Sequence, residues 1–173
     1  MRLFIAVPLP GDIQKKMTRC SEGLSGSGLT GRFVPRGSHH ITLRFIGESN
    51  ALGDIAFAMR DAVRDARPFT LKLGGYGQFT HGGGRTGFVH VTGDTEELFR
   101  IHETLESALS DRGLGRGRGR LQPHITLARA LSGTIPEALP APEGSLRVSS
   151  IVLYESILEK GRMVYMPLHT EKF

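Results

Sequence analysis

Two short stretches of this chain carry the residue types that acid–base chemistry needs. They read His40-Ile41-Thr42-Leu43 and His124-Ile125-Thr126-Leu127, and the second begins 84 residues after the first (124 − 40) in a chain of 173. An imidazole gives and takes protons near neutral pH, and a hydroxyl donates a hydrogen bond to an oxyanion. One such tetrapeptide carries little weight; two near-identical copies, one in each half, point to architecture and chemistry together. On a β-strand alternate residues share a face. His40 and Thr42 therefore lie on one face and Ile41 and Leu43 on the other, and the second copy repeats the pattern. Two such strands facing one cleft would bring two imidazoles and two hydroxyls together, which suits acid–base work on a small anion. The competing reading, polar residues on two half-buried strands, does not account for the duplication. His39 has the opposite parity to His40 and is expected to be structural. His81, His90, His102 and His169 show no partner pattern and are read as surface or packing residues.

The surrounding elements must hold these strands. Arg2 to Val7 reads as a buried first strand closed by Pro8 and Pro10. A helix capped by Asp12 is expected from about Ile13 to Leu24, with Ile13, Met17, Cys20 and Leu24 inward. Phe33-Val34-Pro35 is a short extended piece, and His40 to Ile46 is the first motif strand. Leu52 to Ala66 reads as a helix with Leu52, Ile55, Met59 and Val63 as its apolar stripe. Phe69 to Leu73 is a strand that Gly74-Gly75-Tyr76-Gly77 is expected to break, and residues 81–85 form a hairpin loop before a return strand, Thr86 to Val91. A helix from Thr95 to about Asp111 turns Leu98, Ile101, Leu105 and Leu109 inward. The segment 112–120 alternates Arg and Gly and reads as a flexible basic loop, either a solvated linker or a grip on phosphates. The second motif strand is expected over Leu121 to Arg129, and two closing strands over Leu146 to Tyr154 and Met163 to His169, joined by a turn at Lys160-Gly161. The whole is read as one α+β domain, residues 1–173, of two pseudo-symmetric lobes. Antiparallel sheets would line a central cleft and helices would cover the outside.

Composition narrows the function classes. A hydrophobic content of 39% supports a core, and a formal net charge of +5 favours an anionic partner such as nucleic acid. Cys20 is the single cysteine, so no intrachain disulfide forms and a reducing compartment fits. The opening apolar run is too short for a signal peptide and no stretch is long enough to span a membrane. A cytoplasmic protein, a monomer with no membrane partner, is expected. No cluster with metal-ligand spacing is visible, and Gly82-Gly83-Gly84 lacks the Lys-Ser/Thr of a nucleotide-binding loop.

The sequence resembles the 2H phosphoesterases, named for paired His-x-Thr/Ser-x motifs, and among them the bacterial and archaeal RNA 2′,3′-cyclic phosphodiesterases, also called 2′-5′ RNA ligases. The resemblance covers nearly the whole chain. It is carried by Arg2-Leu3-Phe4-Ile5-Ala6, by His40 to Gly47, by Pro123 to Arg129, and by Leu153-Tyr154-Glu155-Ser156 with Gly161 and Tyr165. It implies hydrolysis of a terminal 2′,3′-cyclic phosphate of RNA, tRNA fragments included, to a 2′-phosphate without metal or cofactor. The reverse reaction would be 2′-5′ ligation. It implies His40 as proton donor and His124 as proton acceptor, an order that the residues alone leave open, with Thr42 and Thr126 on the non-bridging oxygens. Arg129 is a secondary substrate-binding candidate; strict alternation turns it away from the cleft, and a bend or its length would be needed to bring it back. Phe33 and Phe88 stand where the family often has Trp and are candidate base platforms. Two other readings compete: a non-catalytic module that holds RNA ends, and a related enzyme acting on small cyclic nucleotides.

Overall fold

A computed structural model describes all residues, Met1–Phe173. Nine strands and three helices follow one another along the chain. They are β1 (Arg2–Pro8), α1 (Gly11–Gly26), β2 (Arg32–Phe33), β3 (His40–Glu48), α2 (Leu52–Val63), β4 (Phe69–His81), β5 (Gly84–Gly93), α3 (Thr95–Asp111), β6 (His124–Arg129), β7 (Ser145–Val148), β8 (Ser150–Glu159) and β9 (Arg162–Lys172). The strands form two antiparallel sheets, one ordered β3-β1-β8-β9 and the other β2-β6-β5-β4-β7. Each sheet holds one motif strand, and β3 and β6 pack against each other where the sheets meet. The mixed α+β class and the antiparallel sheets are as expected.

The apolar halves of both motifs build the core. Ile41, Leu43, Ile125 and Leu127 are all buried, as period-two alternation requires. They join Leu3, Ile5 and Val7 of β1 and the inward stripes of all three helices in one contiguous core of 31 residues. The two sheets share this core, as a single domain requires. Burying this much apolar surface together is the main favourable term in folding. The α1 and α3 stripes are those expected from helical spacing. In α2 the stripe is Ile55, Ala58, Met59, Ala62 and Val63, while Leu52 in its first turn is exposed.

Four expectations fail for identifiable reasons. Asp12 does not cap α1; Pro10 holds the cap position in extended conformation, because its ring fixes φ where a helix start needs it and it has no N–H to satisfy. The glycine-rich stretch after Leu73 does not end β4. The strand runs on to His81 with a bulge between Leu73 and Tyr76. Here glycine serves close approach: a Cβ on Gly74 would lie 2.9 Å from the His90 Cβ, and one on Gly77 would lie 2.5 Å from the Phe88 ring. The closing strand expected over Leu146 to Tyr154 is two strands in different sheets, β7 beside β4 and β8 between β1 and β9. Finally, the basic segment after α3 is tied down. Arg44 donates to the carbonyls of Leu114 and Gly115, and the Gly117 N–H donates to Glu106. Arg44 and Glu106 form a buried ion pair at 2.5 Å.

Candidate active site

The two histidines are held by the same device. His40 Nδ1 lies 2.9 Å from the Ser38 carbonyl, and His124 Nδ1 lies 2.6 Å from the Gln122 carbonyl. A carbonyl only accepts, so Nδ1 carries the hydrogen in both rings and Nε2 is left free to exchange a proton. The segment before His40 is braced further. The Gln14 amide on α1 donates to the His39 carbonyl at 2.6 Å and accepts from the His39 N–H at 3.1 Å, so one side chain satisfies both backbone groups of the preceding residue. His39 is structural, as its parity suggests. It is 2% exposed and neither ring nitrogen has a partner. Burial, then the neighbouring His40 charge, pushes its pKa down to about 4.

Aromatic rings surround each motif histidine. His40 packs against Phe4 at 4.9 Å and edge-on to Tyr165 at 5.2 Å between ring centroids, with Tyr154 at 6.4 Å. This enclosure pushes the His40 pKa down to about 4. Burial is the largest cause, the Ser38 carbonyl opposes it, and the charges of Arg129 and His124 add to it. The His124 pKa is lowered for the same first reason, opposed by the Gln122 carbonyl and reinforced by Arg129 and His90. His124 meets Phe79 at 5.0 Å and Phe88 at 5.2 Å, both edge-on. Arg129 acts on both imidazoles, so the two motifs share one electrostatic site. Neither Thr42 nor Thr126, both half-buried, spends its hydroxyl on a protein hydrogen bond.

Arg129 reaches this site because the strand is bulged. Phe88 lies opposite Thr126 but Gly87 lies opposite Ala128, so Leu127 is an extra residue. The extra residue reverses the parity beyond it and turns Arg129 to the His124–Thr126 face. The first motif repeats the irregularity: Ala6 lies opposite Thr42 and Ile5 opposite Arg44, so Leu43 is extra there. Arg44 is consequently buried and Phe45 is exposed. Arg129, His40 and Phe33 line one cavity of about 590 Å³ that draws its walls from both sheets.

Phe88 is not an open platform. It is 3% exposed and its ring is stacked by Phe79 at 4.2 Å between centroids, so it supports His124 from below. A base needs a free ring face, and neighbouring side chains cover this one. His90, expected to be a surface or packing residue, is exposed and lies directly opposite His124 in the β5–β6 ladder. Sequence reasoning passed over Gln14 and the Phe4–Tyr165 enclosure, for which parity from His40 across β1 was the available signal. No three or more His, Cys, Asp or Glu side chains are grouped so as to hold a metal ion.

The chain is similar to known proteins over most of its length. The profile of the 2′-5′ RNA ligase superfamily matches residues 10–157. The RNA 2′,3′-cyclic phosphodiesterase of Aeropyrum pernix is 31% identical over 166 residues, covering 91% of this chain and 94% of that protein. The Escherichia coli protein of the same name is 30% identical, covering 96% of this chain and 93% of its own length. The crystal structure of E. coli LigT complexed with 3′-AMP superposes with a TM-score of 0.82 at 27% identity, over 99% of this chain and 97% of that one. On the profile match and these identities, the chain belongs to the 2′-5′ RNA ligase superfamily.

Proposed function

We propose that this protein opens 2′,3′-cyclic phosphates at RNA 3′ ends and leaves a 2′-phosphate, the activity for which its Aeropyrum and E. coli relatives are named. The observation that carries the reading is the paired site: two histidines with Nδ1 tied to a carbonyl and Nε2 free, each followed by an unengaged threonine hydroxyl. In-line displacement at phosphorus needs a proton taken on one side and one given on the other. His124 Nε2 takes a proton from water as the water oxygen bonds to phosphorus. The P–O3′ bond breaks, and O3′ receives the proton from His40 Nε2. Thr42 and Thr126 donate to the non-bridging oxygens, whose charge grows in the transition state.

The low pKa of His40 fits the donor role once substrate is bound. A buried imidazolium is a strong acid, and an adjacent phosphate anion favours the charged form it must begin in. The Arg129 guanidinium supplies a fixed positive charge at the same place. Run backwards with a 5′-hydroxyl in place of water, the same groups would make a 2′-5′ linkage; water in excess favours hydrolysis.

The test is digestion of a short RNA ending in 2′,3′-cyclic phosphate, in EDTA, with 2′- and 3′-phosphate products resolved. A 2′-phosphate product is expected, with turnover reduced about 10²–10⁴-fold in each of His40→Ala and His124→Ala while RNA binding persists. A 3′-phosphate product, or full turnover in either variant, would overturn the assignment.

A further inference from the structure

We propose that Gln14 on α1 is a positioning residue for proton transfer: its side-chain amide fixes the peptide that aims the Ser38 carbonyl at His40, and so sets which ring nitrogen of His40 carries the hydrogen. This rests on the reaction proposed above and adds to its machinery a residue that lies outside both motifs.

The amide holds two successive peptide planes. Gln14 Oε1 accepts from the His39 N–H at 3.1 Å, and Gln14 Nε2 donates to the His39 carbonyl at 2.6 Å. The His39 N–H belongs to the same planar unit as the Ser38 carbonyl, and in a trans peptide the two point in opposite directions. No peptide bond of the chain is cis. Holding the N–H on the α1 side therefore turns the carbonyl the other way, where His40 Nδ1 meets it at 2.9 Å. The second bond fixes the next plane, whose nitrogen is that of His40 itself.

The sheet cannot do this work. The β1–β3 ladder ends at the pair Pro8–His40, and Pro8 has no N–H to give. β3 is an edge strand, with β1 as its one neighbour in the sheet. His39 precedes the ladder and is almost fully buried, so its backbone groups need a partner from the protein. The second motif needs no such clamp. Pro123 stands where His39 does in the first; it has no N–H, and its carbonyl accepts from the Val91 N–H of β5 at 3.3 Å. β6 is also flanked on both sides, by β2 and β5.

Gln14 is mounted firmly enough for the role. Ile13 beside it and Met17 one turn on are at most 1% exposed. Its own N–H donates to the Pro10 carbonyl at 2.9 Å, so the side chain projects from the first turn of a helix anchored in the core.

The consequence lies in the His40 tautomer. With Nδ1–H donated to Ser38, the free nitrogen is Nε2, and giving up the Nε2 proton leaves the form that the carbonyl already holds. Without the clamp the peptide can rotate and the carbonyl leaves Nδ1. The neutral ring then reverts to the Nε2–H form that a free imidazole favours in water, and it is free to turn about its Cβ–Cγ bond.

The experiment uses Gln14→Met, which keeps the length and helix propensity of Gln and removes both hydrogen bonds. The readout is the His40 tautomer in the free ¹⁵N-labelled protein at neutral pH, from long-range ¹H–¹⁵N correlations within the imidazole. The wild type is expected to show Nδ1–H at both motif histidines. Gln14→Met should shift His40 to the Nε2–H form while His124 keeps Nδ1–H, which also reports an intact fold. On RNA ending in a 2′,3′-cyclic phosphate, kcat should fall about 10–100-fold with KM little changed. Gln14→Glu keeps the acceptor for the His39 N–H and should retain the Nδ1–H tautomer and most of kcat. An unchanged His40 tautomer in Gln14→Met, or a fall in kcat that Gln14→Glu does not reverse, overturns the assignment. If the wild type does not turn over the RNA, the reaction reading has failed, and the tautomer in Gln14→Met still decides whether Gln14 positions His40.

Discussion

Removing one wall of the enclosure around His40 should return its pKa toward the value of a free imidazole. The drop from 6.5 to about 4 represents about 3 kcal/mol against the imidazolium. Burial is its largest cause, and the burying rings are Phe4, Tyr165 and Tyr154. Tyr165 stands edge-on to the imidazole at 5.2 Å and borders the open cavity, so Tyr165→Ala lets water reach the ring without emptying the core. If the three rings share the desolvation about equally, Tyr165→Ala recovers about 1 kcal/mol and moves the titration midpoint to about 5. The direction is fixed by the physics. Solvating the ring favours its charged form, so the pKa rises and cannot fall. The assay is an NMR titration of the His40 ring Hε1 in the free protein, wild type against variant. In kinetics, kcat/KM reports the free enzyme, so its alkaline limb should lie below pH 6.5 in the wild type and move up in Tyr165→Ala. A His40 midpoint near 6.5 in the wild type, or one that falls in the variant, would refute the account of burial as the cause.

Two further outcomes follow from the packing. Gly77→Ala should impair turnover more than stability, because the new methyl would lie 2.5 Å from the Phe88 ring that supports His124. A loss of about tenfold or more in kcat with a Tm change of only a few degrees is expected on displacing a ring beneath a proton-transfer group, and unchanged kcat would show that His124 does not depend on Phe88. Glu106→Gln leaves the Arg44 guanidinium buried without its counter-charge and should cost about 3–5 kcal/mol in urea denaturation, with much of that recovered in an Arg44→Met, Glu106→Leu pair; a cost below about 1 kcal/mol would show that water solvates the site.

Much of this molecule is legible in its sequence because burial follows period. The stripes of α1 and α3 and the apolar halves of both motif strands lie where helical and strand spacing put them. The candidate site was legible as far as the duplication reached, which is His40, Thr42, His124 and Thr126. What lay beyond depends on contacts between distant segments. Gln14 bonds across 25 residues to His39, and the Arg44–Glu106 pair spans 62. Glycine was ambiguous for the same reason. Gly77 looks like a strand breaker along the chain, and only the neighbouring strand shows that it makes room for Phe88.

The parity argument itself failed at one informative place. Alternation counted from Thr126 turns Arg129 away from the site, and alternation counted from Thr42 turns Phe45 inward. Both counts are wrong by one, and at the same position of the motif, its leucine. Leu43 and Leu127 are each the extra residue of a bulge, buried beside a second buried residue, Arg44 or Ala128. A bulge at a strand edge or beside a functional site re-aims the side chain that follows. Here it does so twice, and the two re-aimed residues differ in kind: a cation in one sheet and an exposed aromatic ring in the other. The repeated His-x-Thr therefore presents matched imidazoles and hydroxyls, while the position two residues past each leucine is where the halves diverge. In the reaction proposed above, symmetry at the histidines matches the need for a proton donor on one side of phosphorus and an acceptor on the other, and the two bulges let the rest of the site differ between the halves without disturbing that match.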